Sequence, residues 1–230
     1  MSKPDLLLLH GALGSAQQFS RLKPLLEEHF NVHDLNFEGH GGRTSENALT
    51  MAGFATNIDE FILEKGLKKP NVFGYSMGGY AALSLALEQP EKLGKIVTLG
   101  TKFDWNAASA AKEVKMLNPE VIEEKVPKFA AHLKALHAPN DWKELLHKTA
   151  GMMLHLGDGA ALKEGDLSSI QNRVCIMVGE SDNMVSPSES QWAANAVPNA
   201  EFKLLEGVVH PLEKNDPQQL ATTITSFLKV

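Results

Sequence analysis

A single cysteine, Cys175, occurs among 230 residues, so no disulfide can close within the chain. The fold has to be held by a packed core, and nothing points to an oxidising compartment. Basic residues are not in excess. The 22 Lys and Arg against 28 Asp and Glu give a net charge of -6. An acidic chain without a basic cluster lacks the electrostatic footprint for nucleic acid or an anionic membrane surface, so neither is expected as a partner. Long apolar runs are missing as well. Leu6 to Leu9 falls short of the ~7 apolar residues of a signal-peptide core, and no stretch reaches the ~18 of a membrane span. These absences predict a soluble cytoplasmic protein, or one whose targeting segment has been removed. There is no H-E-x-x-H, G-x-G-x-x-G or P-loop, and one cysteine cannot build a thiolate site. No metal and no cofactor are therefore expected.

What is present is ordinary globular composition, 43% hydrophobic and 22% charged, which excludes a disordered chain, a collagen-like repeat and a coiled-coil rod. Short apolar runs recur at Asp5–His10, Asn31–Leu35, Asn71–Tyr75, Lys95–Gly100, Arg173–Gly179 and Glu201–Glu206. Near-continuous apolar runs of strand length are what a parallel sheet buried on both faces requires. Helical patterns lie between them at Ser15–Glu28, Thr50–Lys65, Met77–Gln89, Ser188–Ala196 and Pro217–Leu228. The alternation predicts an α/β fold: one mostly parallel sheet with helices on both faces. One interval breaks the rhythm. Residues 102–166 contain no convincing strand and read as three or four helices, too long for a loop. This predicts a helical cap over 102–166, inserted into a core of 1–101 and 167–230.

The most informative stretch is Gly74-Tyr75-Ser76-Met77-Gly78-Gly79. It matches G-x-S-x-G, follows an apolar strand and precedes a helix, the context of a nucleophile elbow. Such a turn lifts the Ser76 hydroxyl above the sheet. It also sets the Met77 N–H at a helix N-terminus, where negative charge is stabilised. A serine hydroxyl needs an adjacent base. Of nine histidines, His210 follows the last predicted strand on a loop, at the sheet edge where ligand sites form. His29, His33, His132, His137 and His147 read as surface groups, His40 as structural, and His155 as a group in reach of substrate. The carboxylate that orients the base is expected at Asp182, just past the strand ending in Gly179. Glu180 and Asp104 are its rivals. A second oxyanion donor is expected at the Ala12 N–H, after His10-Gly11 at the end of the first strand.

Together these residues resemble the α/β-hydrolase superfamily. The likeness is to its small capped esterases, cofactor-free haloperoxidase-like enzymes and carbon–carbon bond hydrolases. It rests on His10-Gly11, Gly39-His40-Gly41, the Ser76 elbow, Gly179-x-x-Asp182 and His210 in that order. The family's usual N-terminal antiparallel strand pair is missing, since the first strand already carries His10-Gly11, so about six strands are expected. The resemblance implies a Ser76–His210–Asp182 triad with Ala12 and Met77 as oxyanion donors. It also implies a small-molecule substrate and no cofactor, and it fixes no oligomeric state. A serine in place of aspartate speaks against a haloalkane dehalogenase or epoxide hydrolase. Tyr80 stands where the similar menaquinone-pathway lyases carry arginine, the cation an anionic substrate would want. The leading expectation is a serine hydrolase cleaving a small ester. The alternatives are a lyase or carbon–carbon bond hydrolase using the same residues, and a small-molecule sensor.

Overall fold

The computed structural model describes residues 3–229. Met1, Ser2 and Val230, part of the predicted core segments, lie outside the described residues. The six strands are β1 (Asp5–Leu9), β2 (Asn31–Leu35), β3 (Asn71–Tyr75), β4 (Ile96–Leu99), β5 (Val174–Gly179) and β6 (Ala200–Leu205). They form one sheet in the order β2-β1-β3-β4-β5-β6, and all five pairings are parallel. The fold class is therefore α/β as the sequence predicts, with no antiparallel pairing among the described residues.

Side chains alternate across a strand, and the alternation here splits the core in two. Leu7 and Leu9 of β1 join Val72, Ile96, Val174 and Ile176 on one face. That face is covered by α2 (Met51–Lys65), α3 (Met77–Glu88) and α9 (Pro187–Ala196). Leu6 and Leu8 point the other way, with Phe73, Val97, Cys175 and Met177. The cover there is α1 (Lys23–Glu27) and α10 (Pro217–Lys229). The four leucines of β1 are completely buried, each contributing about 1.5–3 kcal/mol. Cys175 is buried in the second cluster, and burial pushes its thiol up to about 12, so it is a packing residue and not a nucleophile.

Two local readings need correction. Residues Ser15–Glu28 do not form one helix. They break into a short 3-10 turn at Ala16–Phe19, capped by the Ser15 hydroxyl, and α1. Pro24 has no N–H to donate and so suits the first turn of a new helix better than the interior of a longer one. His137, expected at the surface, is fully buried.

Between β4 and β5 the chain is helical: α4 (Ala107–Val114), α5 (Pro119–Lys125), α6 (Pro127–His137), α7 (Trp142–His155) and α8 (Glu164–Ser168). Ile122, Ala130, Leu133, Trp142 and Leu146 make a small core of their own. On α7, Leu145 and Met152 instead join the main core, so this helix is the keel that seats the insertion. Glu189 fastens its first residues. One carboxylate oxygen accepts the Phe103 and Asp104 amides at 3.1 and 2.8 Å, and the other accepts the Ser186 amide at 2.7 Å in a capping box. Among the described residues no helix is long and apolar enough to cross a membrane.

Candidate active site

Ser76 lies between β3 and α3 with φ 51° and ψ -115°. A non-glycine residue there carries strain of order 1–3 kcal/mol and persists only where its surroundings over-determine it. Here they do. The Ser76 N–H extends the ladder by donating to Leu99 O at 2.8 Å, and its carbonyl accepts from Thr101 Oγ1 at 3.0 Å and from the Gly79 N–H at 3.1 Å. Gly78 makes the turn possible, because a Cβ there would strike the Leu9 carbonyl. Met77 is the first residue of α3, so its N–H has no intrahelical partner and lies at the positive end of the helix. The loop carrying Ala12 comes alongside. A Cβ on Gly11 would lie only 3.4 Å from Ser76 Cβ.

His210 follows β6. Its Nδ1–H donates to Asp182 Oδ2 at 2.8 Å, with the two side chains 8% and 2% exposed. The other Asp182 oxygen accepts the Met184 and Val185 amides at 2.8 and 2.9 Å, so the carboxylate is fixed from both sides. Burial pushes the Asp182 carboxyl up. The hydrogen bond and charge of His210, with the two amides, outweigh that and leave it below the usual aspartate value. Neither rival does this. Glu180 is exposed, and exposed Asp104 accepts from Asn106 Nδ2 at 3.0 Å.

The pair reaches Ser76 through the strand ends between them. Gly100, directly after β4, has φ 61°, and a Cβ there would lie 3.2 Å from both Asp182 Oδ2 and His210 Nδ1. Leu99 and Thr101, on either side of Gly100, hold Ser76. Among the described residues the Ser76 hydroxyl has no hydrogen-bond partner; hydrogen bonds of this kind often close only once substrate is bound. Three supports escaped sequence reasoning. Tyr75 Oη donates to the His210 carbonyl at 2.8 Å, Thr101 holds the Ser76 carbonyl, and buried Asn215 brackets the His210 loop through both Val209 N–H and Val209 O at 2.9 Å. None has a local motif. Tyr75 could have been noticed as the elbow's own second residue.

The sequence profile described as "alpha/beta hydrolase fold" matches residues 4–150. The chain belongs to the alpha/beta hydrolase fold family. It is 25% identical to a pimeloyl-(acyl-carrier protein) methyl ester esterase of Aliivibrio fischeri, over 97% of this chain and 93% of that one. Two solved structures share the fold. An enol-lactonase from Burkholderia xenovorans superposes with TM-score 0.78 at 17% identity, over 100% of this chain and 93% of its own. The 2-hydroxy-6-oxo-6-phenylhexa-2,4-dienoate hydrolase of a Rhodococcus species gives 0.81 at 18%, over 99% and 91%.

This alpha/beta hydrolase has a cleft of 460 Å³ that opens beside the strand ends. Ala12, Gln18, Phe129, Leu136, His210 and Glu213 are among its walls. Phe129, His132 and Leu136 recur at helical spacing, so one face of α6 forms a wall opposite the Ala12 loop. A larger cavity of 630 Å³, between Trp105 and Trp192, touches none of Ala12, Ser76, Met77, Asp182 and His210. Its size therefore does not make it the candidate site. His155 is exposed and lines neither cavity. Trp142 and Met152 are core residues.

Proposed function

We propose that this chain is a serine hydrolase that cleaves a small, uncharged carboxylic ester through an acyl-enzyme. The observation that carries the reading is the buried Asp182–His210 hydrogen bond, beside a serine held in a strained elbow conformation. With Nδ1–H committed to Asp182, the neutral imidazole keeps Nε2 as its acceptor, the tautomer a general base needs. His210 Nε2 takes the Ser76 hydroxyl proton as Oγ bonds to the ester carbonyl carbon. The carbonyl oxygen becomes an oxyanion held by the Ala12 and Met77 N–H groups. Collapse breaks the bond to the alcohol oxygen, which leaves with the proton from His210. Water then attacks the acyl-enzyme, giving its proton to His210 and releasing the acid and Ser76. Asp182 stabilises the imidazolium at both stages without taking the proton.

The α6 wall supplies apolar contact for the acyl or alcohol group, and the helical insertion serves as the cap. A methyl ester esterase among the relatives supports an ester substrate. Glu213 in the cleft, where no Lys or Arg is found, speaks against a carboxylated substrate. For that reason the lyase reading is the weaker one. The test is Ser76→Ala together with fluorophosphonate labelling of the native protein. Label on Ser76 that is lost in His210→Ala, and loss of several orders of magnitude in turnover of a short-chain ester by Ser76→Ala, are expected. Label on a different serine, or more than a tenth of wild-type turnover in Ser76→Ala, overturns the reading.

A further inference from the structure

Three buried histidines lie outside the proposed chemistry: His10, His40 and His137, each with no exposed surface. Ring centroids are 5.1 Å apart for His10 and His40, and 5.7 Å for His40 and His137. Every ring nitrogen is used. His10 Nδ1–H donates to Gly11 O at 2.8 Å, and Nε2 accepts the Phe37 N–H at 3.1 Å. His40 Nδ1–H donates to Glu38 O at 2.9 Å, and Nε2 accepts the Leu13 N–H at 3.3 Å. His137 has the opposite tautomer. Its Nδ1 accepts the Gly41 N–H at 3.0 Å, and Nε2–H donates to Leu13 O at 3.1 Å. A second proton on any of the three would meet an N–H donor. Burial holds all three below the ordinary imidazole value, so each stays neutral.

The contacts converge on Leu13. It is a non-glycine residue with φ 58°, a left-handed conformation that needs outside support. Both of its backbone polar groups are held by imidazoles, N–H by His40 and C=O by His137. Only the second comes from the insertion, 124 positions away at the end of α6. The next turn reinforces that docking, since Asn140 Nδ2 donates to Gly39 O at 3.2 Å and Arg43 O at 2.8 Å. Leu13 directly follows Ala12, whose N–H is the proposed oxyanion donor. A rotation at Leu13 would change where the Ala12 peptide points.

We propose that His137 is a positioning residue: its Nε2–H bond to the Leu13 carbonyl holds the Ala12 peptide in oxyanion-binding orientation, so that the seated helical insertion completes the site. This rests on Ala12 being an oxyanion donor, as proposed above. The residue is not a catalytic group, because it faces backbone atoms and not the reacting centre.

Two substitutions divide its two bonds. His137→Gln places an amide donor near the position of Nε2 and keeps a bond to Leu13 O. His137→Asn keeps an acceptor near Nδ1 for Gly41 but is too short for Leu13. Each is assayed for kcat and KM on a short-chain ester, and for amide hydrogen exchange in residues 10–18. The expected result for His137→Asn is a kcat lower by about 10- to 100-fold, short of the loss of a whole oxyanion donor, with KM within about threefold. Faster exchange in 10–18 should accompany it. His137→Gln should restore at least a third of wild-type kcat and normal exchange. Equal activity in Asn and wild type, or equal losses in Asn and Gln, overturns the proposal. If neither variant folds, the seating of the α6 end is loosened instead through Asn140→Ala, which loses the bonds to Gly39 O and Arg43 O; the expected effect is the same pairing of lower kcat with faster exchange, and unchanged values there overturn the proposal. Should the wild type cleave no ester while His137→Asn still frees residues 10–18, the ester reading fails and the clamp stands.

Discussion

Tyr75 Oη donates a 2.8 Å hydrogen bond to the His210 carbonyl, joining the residue before the elbow serine to the proposed base across 135 positions of sequence. Burial raises the Tyr75 phenol well above its ordinary value, so it remains a donor throughout the useful pH range. Tyr75→Phe leaves a buried carbonyl unpaired, at a cost of about 1–3 kcal/mol. The expected outcome is a lower melting temperature and a several-fold lower kcat. An unchanged kcat would show that the His210 loop is held well enough by Asn215 alone.

Gly100→Ala tests the contact between β4 and the His210–Asp182 pair. The new methyl has to occupy left-handed backbone and press on both side chains at 3.2 Å. Destabilisation of about 1–2 kcal/mol is expected. Turnover should fall further than that loss of stability explains, because the imidazole is displaced. Paired denaturation and kinetic measurements separate the two effects.

Asp182→Asn should keep the fold and lower kcat by about 10³–10⁴, since the amide cannot hold the productive histidine tautomer. Glu180→Gln and Asp104→Asn should stay near wild type, because both carboxylates are exposed and neither accepts from His210. Measuring all three on one ester decides the matter. A crippled Asp104→Asn beside an active Asp182→Asn would be fatal to the assignment.

The buried histidines predict a specific acid sensitivity. His10 is lowered to about 4, and His40 and His137 lie below 6.5 as well, all three chiefly through burial. The unfolded chain therefore binds more protons in this range, and stability rises with pH. Their contribution is complete above about pH 6.5 and drains away as pH falls toward 4. Denaturation midpoints at pH 7, 6, 5 and 4 should decline steadily. A midpoint constant from 7 to 5 would contradict the neutral network.

Glu213 in the cleft should select against negative charge. On size-matched esters, Glu213→Gln should raise kcat/KM for a carboxylated ester relative to a neutral one by roughly two- to fivefold, the modest range of an exposed charge. Added salt should shrink the wild-type preference. Loss of activity on neutral esters as well would mean that Glu213 acts through packing.

What the sequence by itself determined was whatever short-range chemistry dictates. Short apolar runs bounded by turn residues and alternating with helical patterns read as strands of one parallel sheet, and β1, β3, β4 and β5 are indeed buried on both faces. Gly-x-Ser-x-Gly between such a run and a helical pattern marks a sharp strand-to-helix turn, and the chain makes that turn at Ser76. Chain order then delivers Asp182 and His210 to the same sheet edge as Ser76, since β3, β5 and β6 are parallel. The tertiary structure alone decided which carboxylate meets the imidazole. Glu180 and Asp182 share one turn, and the direction of each side chain depends on the Met184 and Val185 amides and on Gly100 of a neighbouring strand. It also decided the fate of His137. Local pattern makes that residue the polar end of an amphipathic helix, and only the docking of α6 against Leu13 and Gly41, about a hundred residues away in sequence, buries it. Burial of that kind is a property of two surfaces meeting, and no window of sequence contains both.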